Sequence, residues 1–163
     1  MELPKRKPTR LQGYDYTQNG YYFVTICSHN KECIFSNIVG QGLAPAENKL
    51  TRYGKVAKQE LLDLENGYKI KVDNYVIMPN HIHAIIVIES ATAGASPCPT
   101  LSDIVCAFKS LVTRKCHILN PKQKIWQTSF HDHIIRGERD YLKIWNYIDV
   151  NPQKWSEDCF YVA

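Results

Sequence analysis

The sequence predicts an α+β domain in which antiparallel strands form a sheet and helices pack on it. Three observations lead there. Two apolar stretches flank a tight Pro79-Asn80 turn signal, which predicts an antiparallel hairpin. Three other segments repeat apolar residues at helical spacing. Strand and helix patterns also interleave along the chain instead of segregating.

Taken in order, Tyr21 to Ser28 (YYFVTICS) is aromatic and β-branched and reads as a strand. Cys33 to Val39 is expected to pair with it after the polar turn His29-Asn30-Lys31. Asn48 to Asn66 is expected to be a helix, with Leu50, Tyr53, Val56, Ala57, Leu61 and Leu64 along one face and Gly67 as its stop. Lys69 to Met78 alternates, with Ile70, Val72, Val76 and Met78 assigned to one side, and His81 to Glu89 completes the hairpin. Residues 91–100 (ATAGASPCPT) read as a mobile loop of small residues. Ser102 is the expected cap of a helix to about Leu119, whose buried stripe is Ile104, Val105, Phe108, Leu111 and Val112. Phe130 to Arg136 reads as a short strand and Gly137 to Asn151 as a helix ended by Pro152.

The length of 163 residues suits one domain spanning 1–163, burying roughly two-thirds of the unfolded chain's surface. With 44% hydrophobic and 22% charged residues, the chain is neither disordered nor fibrous. It contains no apolar run of membrane-spanning length and no signal-peptide core, which points to a cytoplasmic protein without a membrane partner. The six cysteines are scattered with no C-x-x-C pair, as expected of free thiols.

Charge is uneven. A basic arm at residues 1–12 carries a net +3, residues 100–136 carry +4, and the remainder sums to −3. Two basic segments on an acidic body suit a polyanion, nucleic acid first, although a solvated basic face has the same composition.

His81-Ile82-His83 is the sharpest chemical feature. Side chains alternate along a strand, so both imidazoles project from one face and Ile82 from the other. That spacing lets two nitrogens ligate one divalent cation and leaves room for substrate oxygens; it equally fits two part-exposed histidines after a turn. His131-Asp132-His133 repeats the spacing with a polar centre in a less apolar segment, where structural or phosphate contacts are the expectation. On the last helix Tyr141, Ile144, Trp145 and Ile148 make a core stripe, and Tyr147 and Asn151 stack at its edge. A phenol with a reference pKa near 10 is a poor nucleophile until a metal or base activates it. P-loop, G-x-G-x-x-G, G-x-S-x-G and H-E-x-x-H motifs are all absent, so nucleotide hydrolysis and zinc proteolysis have no support.

NYVIMPNHIHAIIVI (Asn74 to Ile88) resembles the His-hydrophobic-His segment of single-strand DNA transposases that use one catalytic tyrosine. LQGYDYTQNGYYFVTIC (Leu11 to Cys27), IWQTSFHDHIIR (Ile125 to Arg136) and YLKIWNYIDVNPQKW (Tyr141 to Trp155) extend the match from about Arg6 to Trp155. Together they are similar to the REP-associated tyrosine transposases. The resemblance implies a ferredoxin-like antiparallel sheet of the HUH endonuclease type. It also implies metal ligation by His81 and His83 and a catalytic role for Tyr147 within Tyr-Ile-x-x-Asn-Pro. Asn151 matches a polar position of the metal site that is often Gln in related transposases, and being shorter it is the least secure ligand.

The implied cofactor is Mg²⁺ or Mn²⁺, and the implied substrate is single-stranded DNA folded as palindromic hairpins. Tyr147 would then form a 5′-phosphotyrosine in a monomer or homodimer. Candidate phosphate contacts are Lys5, Arg6, Lys7, Arg10, Lys109, Arg114 and Lys115, with Tyr14, Tyr16 and Trp126 as stacking or packing residues. A non-catalytic repeat-binding protein and a phosphoesterase using water are the alternatives.

Overall fold

The structure is a computed structural model, and it describes residues 13–16, 18–40, 46–89 and 99–162. Lys5, Arg6, Lys7, Arg10 and most of the small-residue loop, 91–98, lie outside these residues. The elements are β1 (Gly20–Cys27), β2 (Ser36–Val39), β3 (Glu47–Leu50), α1 (Arg52–Gly67), β4 (Ile70–Ile77), β5 (His81–Ile88), α2 (Leu101–Leu119), β6 (His131–Ile135) and α3 (Glu138–Val150). Short 3₁₀ turns cover His29–Lys31 and Asn151–Glu157.

Four strands form one sheet in the order β4-β5-β1-β6, with every neighbouring pair antiparallel. β1 and β4 therefore run the same way with β5 between them, and α1 connects them. After β5, α2 leads to β6 on the other edge. This is the split βαβ arrangement of a ferredoxin-like fold, as the resemblance implies.

Alternation along the strands divides the core in two. Tyr22, Val24 and Ile26 of β1 and Ile82, Ala84, Ile86 and Ile88 of β5 face α1 and α2, where Leu61, Leu64, Ile104, Phe108 and Val112 close the main core. The opposite face carries a smaller cluster, Ile85, Ile135, Ile144 and Ile148, under α3. Cutting a buried Ile or Leu of the main core to Ala would cost roughly 2–5 kcal/mol.

Five local expectations are corrected. The segment expected to pair with β1 instead forms a separate ribbon, with Ser36 opposite Leu50 and Val39 opposite Glu47. β1 has no free edge for it, since β5 and β6 occupy both sides. Second, α1 begins at Arg52 rather than Asn48. Thr51 caps it by accepting from Gly54 N at 3.2 Å while its hydroxyl donates to the Ile34 carbonyl at 2.5 Å. Gly54 is required there, since a Cβ would stand 1.9 Å from the Phe35 carbonyl oxygen. Third, α2 is capped by Thr100, not Ser102, through a reciprocal capping box with Asp103.

Fourth, β4 has a bulge between Val72 and Asn74, so Ile70 and Val72 face the main core but Val76 joins the α3 side. Fifth, Pro152 does not end the helical course. It sits in the first turn of the Asn151–Glu157 segment, where its missing N–H costs nothing. That continuation brings the C-terminal residues back over the end of the sheet. Among the described cysteines Cys27 and Cys116 are buried, Cys33, Cys106 and Cys159 are exposed, and all are free. No described helix is long and apolar enough to cross a membrane.

Candidate active site

His81 and His83 project from β5 on the α3 side, their ring centroids 4.4 Å apart, while Ile82 lies in the main core. Both are almost fully buried, at 0% and 1% exposure. Neighbouring polar groups hold each ring. Asn80 donates its amide to the carbonyls of Phe160 (2.8 Å) and Lys31 (3.3 Å), which turns its Oδ1 toward His81 Nδ1 at 2.9 Å. Since Oδ1 can only accept, Nδ1 of His81 carries the hydrogen and Nε2 is a bare lone pair. His83 Nδ1 pairs with the Thr25 hydroxyl at 2.8 Å, and its Nε2 stands 3.3 Å from the Tyr147 hydroxyl.

The C-terminal segment adds a carboxylate. Asp158 Oδ2 lies 3.9 Å from His81 Nε2, and ligand atoms of His81, His83 and Asp158 all fall within 4.8 Å of one another. Burial, with Lys31 adding, lowers the His81 pKa to about 3. Burial and the neighbouring His81 lower that of His83 to about 3, against a smaller opposing pull from Asp158. Both rings are therefore neutral at physiological pH, and the approach of His81 to Asp158 is not an ion pair.

A lone pair and a carboxylate face each other with no hydrogen between them, and His81 Nε2 is buried without a hydrogen-bond partner. Two acceptors that close are stabilised by a cation between them. The donor set of His81, His83 and Asp158 could thus hold a metal ion.

Asn151, the expected fourth residue, is bonded to the carboxylate. Its amide donates to Asp158 Oδ2 at 2.9 Å, and its own Oδ1 is buried without a partner. Asp158 was not foreseen from the sequence, because nothing in SEDCFYVA signals that the chain returns to His81. Phe160 covers the pair, its ring 4.6 Å from that of His81.

Tyr147 comes from α3, is 39% exposed, and has its ring edge against Phe23 at 6.1 Å. Burial of its hydroxyl end, then the charge of Asp158, raises its pKa to about 12. Unassisted, this phenol keeps its proton at neutral pH.

The other candidates distribute differently. His133 Nε2 bonds Asp140 of α3 at 2.7 Å, and both His131 and His133 are exposed. Lys109 donates to the carbonyls of Gln127 and Ser129, and Lys115 is bound to the buried Glu60. Arg114 is exposed on α2. Tyr14 and Tyr16 pack around Tyr22, and Trp126 packs on Phe35 and Phe108.

No family model matches the chain. An uncharacterized protein of Haemophilus influenzae is 35% identical over 173 residues, which cover 96% of this chain and 93% of that one. The REP-associated tyrosine transposase of Escherichia coli strain K12 is 22% identical over 139 residues, 85% of this chain and 70% of that protein. Among solved structures, a REP-associated tyrosine transposase bound to a REP hairpin has the same fold, with a TM-score of 0.65 and 20% identity over 90% of this chain and 74% of that one. The chain is thus a homologue of the Haemophilus influenzae protein, and it resembles the REP-associated tyrosine transposases in sequence and shares their fold.

Proposed function

We propose that the protein is a metal-dependent endonuclease and strand transferase acting on single-stranded DNA that folds into hairpins, with Tyr147 as nucleophile. The observation that carries this reading is the Tyr147 hydroxyl lying 3.3 Å from His83 Nε2, beside a cluster of His81, His83 and Asp158 that could hold a cation. The DNA hairpin as substrate is supported by the structural relative that holds a REP hairpin.

Tyr147 Oη attacks phosphorus in line. The new Oη–P bond forms as the P–O3′ bond breaks, the phenol proton passes to solvent water, and O3′ leaves and takes a proton from solvent to become a free 3′-OH. The product is a 5′-phosphotyrosine that retains the phosphodiester energy, so a later 3′-OH can rejoin the strand without nucleotide hydrolysis. Bound Mg²⁺ or Mn²⁺ at His81, His83 and Asp158 would supply Lewis acidity toward a phosphate oxygen and positive charge beside the phenol. The Tyr147 hydroxyl lies within hydrogen-bond reach of His83 Nε2, so a metal held by that nitrogen would take away this acceptor and leave the hydroxyl free for substrate. Thr25 and Asn80 hold the two rings so that each Nε2 faces the cluster. Phe160 keeps water from one side of His81.

The test mixes protein, Mn²⁺ and labelled hairpin DNA from repeats beside its own gene, then separates products under denaturing conditions. The expected result is a DNA–protein band that survives denaturation and is absent with Tyr147→Phe. Cleavage without an adduct would make water the nucleophile and overturn the assignment of Tyr147. Tight binding with neither product would leave a repeat-binding protein.

A further inference from the structure

α3 carries Tyr147, yet its apolar packing does little to fix where on the sheet it stands. The buried cluster beneath it is small, Ile85, Ile135, Ile144 and Ile148, with Phe23, Val76, Tyr141 and Trp145 at the margin. Apolar contact is non-directional, so a helix held by it alone can turn or slide. The start of the helix adds no anchor, because Gly137 stands at its N-cap without a side-chain hydrogen bond.

Two polar bonds supply the direction, and both end on the β4 bulge. Val72 pairs with Ile86 and Asn74 with Ile85, so Asp73 is the extra residue and has no partner across the ladder. One oxygen of its carboxylate accepts the Tyr141 hydroxyl, and Lys71 holds the other at 2.7 Å. The Asp73 side chain is only 14% exposed, so little water competes for these bonds. Asn74 is preset in its turn. Its Oδ1 accepts the Tyr75 backbone N–H at 2.8 Å, and its amide nitrogen donates to Asp149 Oδ1 at 3.0 Å.

Tyr141 and Asp149 lie eight residues apart, about 12 Å along the helix axis, and converge on consecutive residues of one strand. A single bond would leave α3 free to pivot about it. Two bonds to one bulge fix both its turn and its slide. Tyr147 lies between the anchors and, two residues before Asp149, points to the opposite side of the helix, about 200° away. There its ring meets Phe23 of β1 and its hydroxyl meets His83 of β5. A slip of one helical turn, about 5.4 Å, would carry that hydroxyl out of reach of His83.

We infer that Asp73 and Asn74 are positioning residues for the nucleophile: through Tyr141 and Asp149, the β4 bulge sets α3 so that the Tyr147 hydroxyl stands beside His81, His83 and Asp158. The inference rests on the reading of Tyr147 as nucleophile. It gives the bulge, which interrupts an otherwise regular hairpin, a role in the reaction.

The experiment combines Tyr141→Phe, which keeps the ring and loses only the hydroxyl, with Asp149→Ala, which leaves the bulge intact. Asp73→Asn is the conservative variant, since it still offers an oxygen to Tyr141. The first readout uses metal-free protein without DNA, carrying 3-fluorotyrosine. The ¹⁹F resonance of Tyr147, assigned by its loss in Tyr147→Phe, reports the ring's place against Phe23 and His83. In the double variant it should shift toward that of a solvated tyrosine, and in Asp73→Asn it should stay near its original position. The second readout is the single-turnover rate of adduct formation by unlabelled protein at saturating Mn²⁺ and hairpin DNA. That rate should fall about tenfold or more in the double variant and less than about threefold in Asp73→Asn, with Mn²⁺ and hairpin affinities within about twofold. A thermal melt identifies the folded fraction. A lower melting temperature with an unmoved resonance, or a moved resonance with an unchanged rate, would overturn the positioning role and leave the nuclease reading standing. No adduct from the unchanged protein, with the resonance still moving in the double variant, would overturn the nuclease reading and leave Tyr147 anchored by the bulge.

Discussion

Two His-x-His pairs stand on the same face of the same sheet, with β1 between them. Thr25 lies opposite His83 on one side and opposite His131 on the other. Their spacing is identical and their surroundings are not. His81 and His83 are sealed between the sheet, α3 and the returning C-terminal segment, and one nitrogen has no partner at all. His131 and His133 lie on the edge strand, exposed, and His133 is paired with Asp140. The difference shows that H-x-H spacing supplies only two rings on one face. A candidate metal site also needs lone pairs that have lost water and found no hydrogen.

Breaking that contrast at the histidines should have the largest effect. His81→Ala or His83→Ala is expected to reduce adduct formation about a hundredfold or more, while His131→Ala and His133→Ala stay within about threefold of the unchanged protein. Hairpin affinity should be largely retained in His81→Ala, because phosphate contacts dominate it. Equal adduct loss from both pairs would erase the distinction.

The supporting shell comes next. Asp158→Asn and Asn80→Ala should each weaken Mn²⁺ binding about 10- to 100-fold by calorimetry, the first by removing a charge and the second by freeing the His81 ring. No change in Asp158→Asn would remove the carboxylate from the donor set.

A smaller effect follows from protonation. The buried pair holds folded-state pKa values of about 3 against an ordinary 6.5. Between those values the unfolded chain binds protons that the folded chain does not. This contribution to stability is thus present above about pH 6.5 and is lost as the pH falls through the window. Melting temperatures of metal-free protein should drop from about pH 7 to 5, and the paired variant His81→Gln/His83→Gln should flatten that slope. A slope unchanged in the variant would assign the loss to other groups. The smallest effect is expected at the second pair: His133→Ala should cost under about 1 kcal/mol by chemical denaturation, as for exposed ion pairs generally.

Much of the fold was readable because its signals are local. The β4–β5 hairpin follows from alternating apolar residues around Pro79-Asn80, and α2 and α3 follow from their stripes. The errors fell where competing local patterns were settled at a distance. Asn48 to Leu50 continue the apolar spacing of α1, yet they pair with Ser36 to Asn37 and Ile38 because Thr51 caps the helix against Ile34. Lys109 and Lys115, candidates for phosphate contacts, have partners no local pattern announces: carbonyls after α2 and a glutamate on α1. Tyr14, Tyr16 and Trp126 read equally as stacking platforms, and the structure uses them in packing.

At the candidate site, the sequence by itself determined that two imidazoles share a face, that an apolar strand carries them, and that Tyr147 and Asn151 lie one turn apart on a helix edge. Those are consequences of strand and helix periodicity, which any short window contains. Only the tertiary structure decided that the buried pair is His81 and His83, that Asn80 leaves Nε2 of His81 bare, and that Asp158 arrives from the far end of the chain. Desolvation and the convergence of acceptors depend on which segments cover a residue, and that depends on contacts between residues far apart in the chain.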